Sequence, residues 1–299
     1  MYQEPESRLS DLLLEADELR SEHPGCGVEK MYNTLQPDWL GRDKFIEIFM
    51  DMGYRVKYHK NYIRTTVPAH FKYPNLIQGM QVVKQNQLWQ TDITYIKIGS
   101  QYFYLVFIVD VYTRRILGYS VSNHMRAEAN IKALCMAIKN CGGIIQGLIH
   151  HSDRGSQYID KGYTSILTEN GAHISMGEKA QDNAYAERVN GIIKNEYLIY
   201  REIKSFNQLR TEVKKAVGHY NNKRIHRSLP GKTTPIDFEK NLLGLYCQKR
   251  PRVIIYAEGN CKTKEARGHL GFMPEKEPQA PNCPIEINNE CLTKTVNLI

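Results

Sequence analysis

Apolar positions along the chain change their spacing at Leu88, and the change divides it. Over residues 1–65 they recur every three or four residues, the period of a helix with one buried face. Leu9, Leu12, Leu13, Ala16 and Leu19 form the first run, broken at His23-Pro24-Gly25. Val28, Met31, Tyr32 and Leu35 form a second. Phe45, Ile48, Phe49 and Met52 form a third, which Gly53 ends. Two short helices with a tight break between them suit a helix-turn-helix, though small three-helix cores share that pattern. Residues 1–65 are therefore expected to be a helical, helix-turn-helix-like DNA-binding region, and residues 66–78 a basic linker.

From Leu88 the period shortens to two. LWQTDITYIKI alternates and is rich in Thr, Ile and Tyr, a strand signal. After Gly99-Ser100, QYFYLVFIVDVYTRRILGYSV predicts two strands parted at Tyr112–Arg115. RAEANIKALCMAIKNC predicts a helix, GLIHHSD a buried strand, GYTSILTENG a helix and AHISM a fifth strand. Two further helices are expected over Asn183–Tyr200 and SFNQLRTEVKKAVGHYNN. Three strands followed by helix, strand, helix, strand, helix predict a mixed α/β layer fold around one sheet, over residues 79–240. Residues 241–299 lose periodicity and are expected to be largely irregular, with a strand at Arg252–Tyr256.

Composition narrows the class. Hydrophobic residues make up 41% of the 299, ordinary for a globular protein. No uninterrupted apolar stretch is long enough to span a bilayer, and the acidic N-terminus lacks a secretory layout. A cytoplasmic protein without membrane partners is expected. The seven cysteines include no CxxC pair, which argues against a disulfide framework. The net charge of +8 is unevenly spread. Residues 184–232 carry eleven Lys/Arg against four Asp/Glu, and residues 53–91 carry six basic residues and no acid. Such clusters suit a polyphosphate partner, and also suit a solvated face.

Three carboxylates stand out by position. Asp92 lies within the first predicted strand, Asp153 directly follows the fourth, and Glu187 lies in the helix NAYAERVNGIIKNEY. A charge in a buried strand is costly unless it is paired or binds a metal. Converging carboxylates suit Mg²⁺ or Mn²⁺, and two such ions about 4 Å apart drive in-line phosphoryl displacement. Asp153, in Ser-Asp-Arg-Gly, is equally good turn chemistry. Asp110, in FIVDVYTRR, is a rival ligand or a partner of Arg114 or Arg115. On the last helix Asn190 and Lys194 follow Glu187 at helical spacing, a stripe that would suit DNA and phosphate, or an ordinary exposed face. From the residues alone, the choice of acids stays open.

LWQTDITYI, FYLVFIVDVYTRRILGYSV, HHSDRGSQY, NAYAERVNGIIKNEY and HYNNKRIHRSLPGKTTPIDF occur in that order over residues 79–240. Together they resemble the transposases of the insertion-sequence-three family, whose catalytic core is RNase H-like and related to retroviral integrases. Gly25–Thr66 resembles the helical element that precedes that core. The resemblance implies that the catalytic and metal-binding DDE residues are Asp92, Asp153 and Glu187, and not Asp110. It places the family's following basic residue on Lys194, and its YNxxRxHxxL-type element on Tyr220, Asn221, Arg224, His226 and Leu229. It implies a nucleoid-associated prokaryotic enzyme that binds Mg²⁺ or Mn²⁺, as two ions. That enzyme would cleave double-stranded DNA at transposon ends and transfer the strand into target DNA. A homo-oligomer on DNA is expected, with an upstream-encoded helix-turn-helix partner or fusion supplying end recognition. Expected DNA contacts are Lys194, Arg188, Asn190, Arg224, His226, Arg227, Arg154, Lys57, Lys60 and Arg64.

The chain departs from the family in two places. First, 33 residues separate Asp153 from Glu187, a shorter gap than usual, the difference falling in GEKAQDNAYAE. Second, residues 1–24 show no heptad zipper of three or more repeats, so end-specific binding is expected to depend on a partner or a fused form. Two other readings therefore stand beside the transposase. One is an RNase H-like nuclease that cuts without joining; the other is a decayed copy that binds DNA as a regulator. Joined products in a strand-transfer assay separate the first, and metal-dependent cutting separates the second.

Overall fold

The computed structural model describes residues 5–56, 73–177, 180–242 and 250–255. Three helices, α1 (Pro5–Glu22), α2 (Val28–Leu35) and α3 (Arg42–Asp51), pack around their own small core of Leu12, Ala16, Met31, Phe45 and Phe49. Phe45 and Phe49, one turn apart on α3, stack with ring centroids 4.0 Å apart. Met52, expected in the same apolar stripe, is 48% exposed. Helix α3 ends at Asp51, and Gly53 turns the chain with φ +84°, so Tyr54 packs against Phe49 in its place.

The alternating segments form one five-stranded sheet. Its strands are β2 (Leu88–Ile98), β3 (Gln101–Asp110), β4 (Ile116–Ser122), β5 (Ile149–Ser152) and β6 (His173–Met176). The spatial order is β4-β3-β2-β5-β6; the β2–β3 and β3–β4 pairings are antiparallel, and β5 and β6 join parallel. This mixed order, with helices on both faces, is the RNase H-like arrangement expected. Alternation along β3 assigns the faces. Phe103, Leu105, Phe107 and Val109 join one core, beneath α6 (Ala184–Ile192), α7 (Phe206–Asn222) and α8 (Pro235–Asn241). Val106 and Ile108 join the other, beneath α4 (Ala127–Asn140) and α5 (Lys161–Glu169). Helix α4 crosses β4 so closely that a Cβ on Gly118 would lie 2.0 Å from the Ala133 carbonyl oxygen.

Three local outcomes differ from the spacing. Asn183–Tyr200 is not one α-helix: after Ile192 the chain widens into a π turn, Ile193–Tyr197, then a 3₁₀ turn, Leu198–Tyr200. The wide turn coincides with close docking of the His23–Gly25 loop, where a Cβ on Gly25 would meet the Glu196 backbone at 2.5 Å. Helix α8, not expected from periodicity, starts on a local signal: Thr234 Oγ1 accepts from the Asp237 amide at 3.1 Å and Pro235 fills the first turn. Of the strand expected at Arg252–Tyr256, Val253–Ile254 (β7) pairs antiparallel with Gln81–Val82 (β1), and Tyr256 lies outside the described residues. Among the described residues no helix is long and apolar enough to cross a membrane.

Candidate catalytic site

Strand β2 and helix α6 run side by side in matching steps. Every second strand residue advances about 6.7 Å, and every fourth helical residue about 6 Å. Gln90, Asp92 and Thr94 therefore meet successive turns of the helix. Gln90 Oε1 accepts from the Tyr185 and Ala186 amides at 3.0 and 3.4 Å. Asp92 Oδ2 accepts from Asn190 Nδ2 at 2.8 Å. Lys194 Nζ donates to Thr94 Oγ1 at 3.3 Å and lies 5.0 Å from the Tyr95 ring centre. The ladder holds the first acidic strand against the helix that carries Glu187.

Asp153 arrives from the next strand. It follows β5 directly and accepts the Gly155 amide at 3.0 Å on Oδ1, the turn chemistry expected of Ser-Asp-Arg-Gly. Parallel pairing of β5 with β2 ends at Thr91↔Ser152, one residue before Asp92 and Asp153 respectively, so both acids lie where the two strands part. Asp153 lines a shallow pocket with Tyr95, Tyr104 and Gln157. The three acids sense one another. The Asp92 carboxyl is pushed up to about 8, first by burial and then by the charges of Asp153 and Glu187. Glu187 is raised by burial and then by Asp153. Glu187 is exposed as a residue, with its carboxyl only partly sheltered, and that carboxyl makes no hydrogen bond among the described residues. As placed, no three His, Cys, Asp or Glu side chains among the described residues stand close enough to enclose an ion.

Asp110 belongs elsewhere. It is 1% exposed, accepts from the Tyr112 amide at 3.2 Å and Thr113 Oγ1 at 2.9 Å, and so caps the β3–β4 turn. Its backbone pairs with both arginines that follow: the Arg114 amide donates to the Asp110 carbonyl at 2.8 Å, and the Asp110 amide donates to the Arg115 carbonyl at 3.0 Å. Arg114 donates to the Val111 carbonyl and lies 4.1 Å from the Tyr185 ring centre, while Arg115 pairs with Glu239 at 2.8 Å.

The basic residues expected on DNA separate by environment. Arg188 is exposed beside Glu187, Arg154 is half-buried beside Asp153, and Lys194 lies at the β2 edge. Burial lowers the Lys194 ammonium from its ordinary value. Asn190 is 5% exposed and is engaged with Asp92. Arg224 and His226 are 6% and 5% exposed, which leaves them no open face for a phosphate. Arg227 is exposed but pairs with Glu29 at 2.5 Å. Lys57, Lys60 and Arg64 lie outside the described residues.

The YNxxRxHxxL-type element builds a junction. Asn221 clips the start of β4, donating to the Ile116 carbonyl and accepting its amide, both at 2.9 Å. Tyr220 and Leu229 are buried in the core. Arg224 reaches Glu196 in the π turn, where His23 (2.8 Å) and Lys30 also converge from the N-terminal helices. His23 stacks on Tyr197 with centroids 4.7 Å apart. Sequence reasoning missed Gln90, Asn183 and Glu196. No local pattern names their partners, which lie from 28 to more than 170 residues away.

Comparison with known proteins identifies the class that this fold and site define. An integrase core domain model matches residues 83–181, and a second integrase core domain model matches residues 171–235. The chain is 32% identical over 221 residues to the insertion element IS600 uncharacterized 31 kDa protein of Shigella sonnei, covering 72% of this chain and 81% of that one. It is 30% identical over 224 residues to the transposase for insertion sequence element IS629 of Shigella sonnei, covering 73% and 75%. To the transposase for insertion sequence element IS904 of Lactococcus lactis it is 36% identical over 194 residues, covering 63% and 74%. A solved structure similar to part of the chain is the HTLV-2 integrase catalytic core domain in complex with magnesium. That match has 21% identity and a TM-score of 0.42, and covers 55% of this chain and 99% of that one. The chain belongs to the insertion-sequence-three family of transposases, DDE polynucleotidyl transferases with an integrase-type core.

Proposed function

We propose that Asp92, Asp153 and Glu187 are the catalytic carboxylates, and that the chain cuts double-stranded DNA at transposon ends and joins them to target DNA. The observation that carries this reading is that Asp92 and Asp153 each follow the last paired residue where β2 and β5 part, while Gln90 and Asp92 hold the helix bearing Glu187 against β2. An all-carboxylate donor set, with Asp92 and Glu187 raised in proton affinity, fits a hard divalent cation, since a cation replaces the proton that relieves the repulsion. When bound, one or two Mg²⁺ or Mn²⁺ ions supply Lewis-acid activation of the attacking oxygen and neutralise charge on the leaving oxygen.

The chain's own residues orient the reaction. Asn190 fixes the Asp92 carboxylate, and Lys194, held by Thr94 and Tyr95, offers its ammonium at the same edge. In the first displacement, water forms a bond to the end phosphorus as the strand's bridging P–O bond breaks, freeing a 3′-hydroxyl. In the second, that hydroxyl displaces a bridging oxygen of the target phosphodiester. No side chain becomes covalently attached. Arg188, Arg154 and Lys194 are proposed to hold phosphates, with affinity that falls as salt rises. Burial of Arg224 and His226 supports an architectural role for both. The N-terminal helices, with the basic stretch 53–91, are proposed to grip the transposon end on an oligomer that pairs two ends. An upstream-encoded helix-turn-helix partner or fusion would add end recognition, in the prokaryotic cytoplasm and at the nucleoid.

Replacing Asp92 by Asn tests the assignment with Mg²⁺ or Mn²⁺ on the element's own ends. Cleavage should vanish while DNA binding persists, with Glu187→Gln behaving alike. An Asp92→Asn protein that cuts like wild type would falsify the carboxylate reading.

A further inference from the structure

We propose that Gln90 is a positioning residue for Glu187: its buried amide fixes the start of α6 to β2 and so sets where the third carboxylate stands relative to Asp92. The inference rests on the carboxylate reading above. Gln90 is 1% exposed, and a buried primary amide is costly unless both ends are satisfied. Both ends are spent on the approach to α6. Oε1 accepts from the Tyr185 and Ala186 amides, and Nε2 donates to the Asp182 carbonyl at 2.8 Å. Tyr185 and Ala186 are among the orphan donors of the first helical turn, normally satisfied by the residue at the N-cap. Asn183 occupies that cap but makes no cap bond. Its Nδ2 donates instead across to the Thr91 carbonyl at 2.8 Å.

Two amides thus cross between β2 and α6, one from each side. A local cap would satisfy the same donors wherever the helix lay. A cap supplied by β2 satisfies them only when the helix begins at one place beside Asp92. Glu187 directly follows the two capped residues. Its carboxylate has no hydrogen bond of its own among the described residues, so the placement of its backbone is what constrains it.

The experiment uses the full chain and two readouts. In wild type, amide hydrogen exchange should show Tyr185 and Ala186 protected, unlike an open first turn. Mn²⁺ titration, followed by the electron paramagnetic resonance signal of free ion, should give a half-saturation about 10- to 100-fold higher in Gln90→Leu, as for loss of groups that orient a metal's ligands. Cleavage by Gln90→Leu should recover as Mn²⁺ is raised to saturation. Gln90→Met, close in shape but without the amide, should raise the half-saturation as Gln90→Leu does. Wild-type amides exchanging freely, or Mn²⁺ affinity unchanged in Gln90→Leu or Gln90→Met, would each overturn the proposal. If Gln90→Leu does not fold, wild-type exchange and the Gln90→Met titration still decide. Failure of the carboxylate reading looks different: Asp92→Asn would then bind Mn²⁺ and cleave like wild type, whatever Gln90 does.

Discussion

Glu196 grips Arg224 with both carboxylate oxygens, Oε2 2.9 Å from Nε and Oε1 3.0 Å from a terminal nitrogen. Both side chains are largely buried, at 15% and 6% exposure, and His23 and Lys30 close the group from the N-terminal helices. The pair is therefore a weld between the helical region and the catalytic core.

Removing one partner of a buried pair strands the other's charge. Glu196→Ala should destabilise the protein by about 3–5 kcal/mol. Urea unfolding should show the loss as a lower midpoint. Burial pushes the Glu196 carboxyl up, but hydrogen bonds from His23 and Arg224 and the charges of Arg224 and Lys30 outweigh it and hold it well below the usual range. A depressed carboxylate contributes stability that is fully present above its unfolded value, near pH 4.3, and is lost as pH falls below that toward the folded value. The gap between wild type and Glu196→Ala should accordingly narrow as pH drops below about 4.

Asp92 has the opposite sign. A carboxyl raised to about 8 binds its proton more tightly in the folded state. Metal-free protein should lose thermal stability as pH rises from about 4 toward 8. Asp92→Asn, a neutral isostere, should abolish most of that fall. Mg²⁺ or Mn²⁺ should raise the wild-type melting temperature more at pH 8 than at pH 5.5. Equal shifts at both pH values would show that the ion does not replace this proton.

Asp110 should separate stability from chemistry. Asp110→Ala leaves the buried Tyr112 amide and Thr113 hydroxyl without their acceptor, a cost of about 1–3 kcal/mol. Strand cleavage below the new melting temperature should persist. Loss of cleavage without loss of stability would return Asp110 to the list of ligands.

Arg188 and Arg224 should behave as different kinds of arginine. Arg188→Ala should weaken DNA binding evenly across sequences and lower the salt slope by about 1. Arg224→Ala should reduce stability and leave that slope unchanged. A salt titration of DNA affinity, run beside a melting curve, distinguishes the two.

The strands and most helices were legible because their apolar periods were strong. LWQTDITYIKI and QYFYLVFIVD could pair only with one face toward each core, and they do. The candidate acids were legible as chemistry out of place, and the ordered motifs then chose among them. What the sequence hid is long-range polar pairing. A glutamine in a strand gives no sign that it caps a helix 95 residues on. A glutamate in a helix gives no sign that it faces His23. Arg224 and His226 were expected on DNA from their place in the YNxxRxHxxL-type element, and the burial that turns them inward involves a partner, Glu196, that sequence spacing does not reveal.

The shortened segment between Asp153 and Glu187 can be weighed by where the chain is moored. Gln90 and Asn183 tie down the first turn of α6, the downstream end of the 177–187 segment in which the difference from the family is expected to fall. Residues trimmed there alter the route by which the backbone arrives, while its berth is fixed by β2. A linker-length series across this segment is accordingly expected to change folding rate well before it changes turnover.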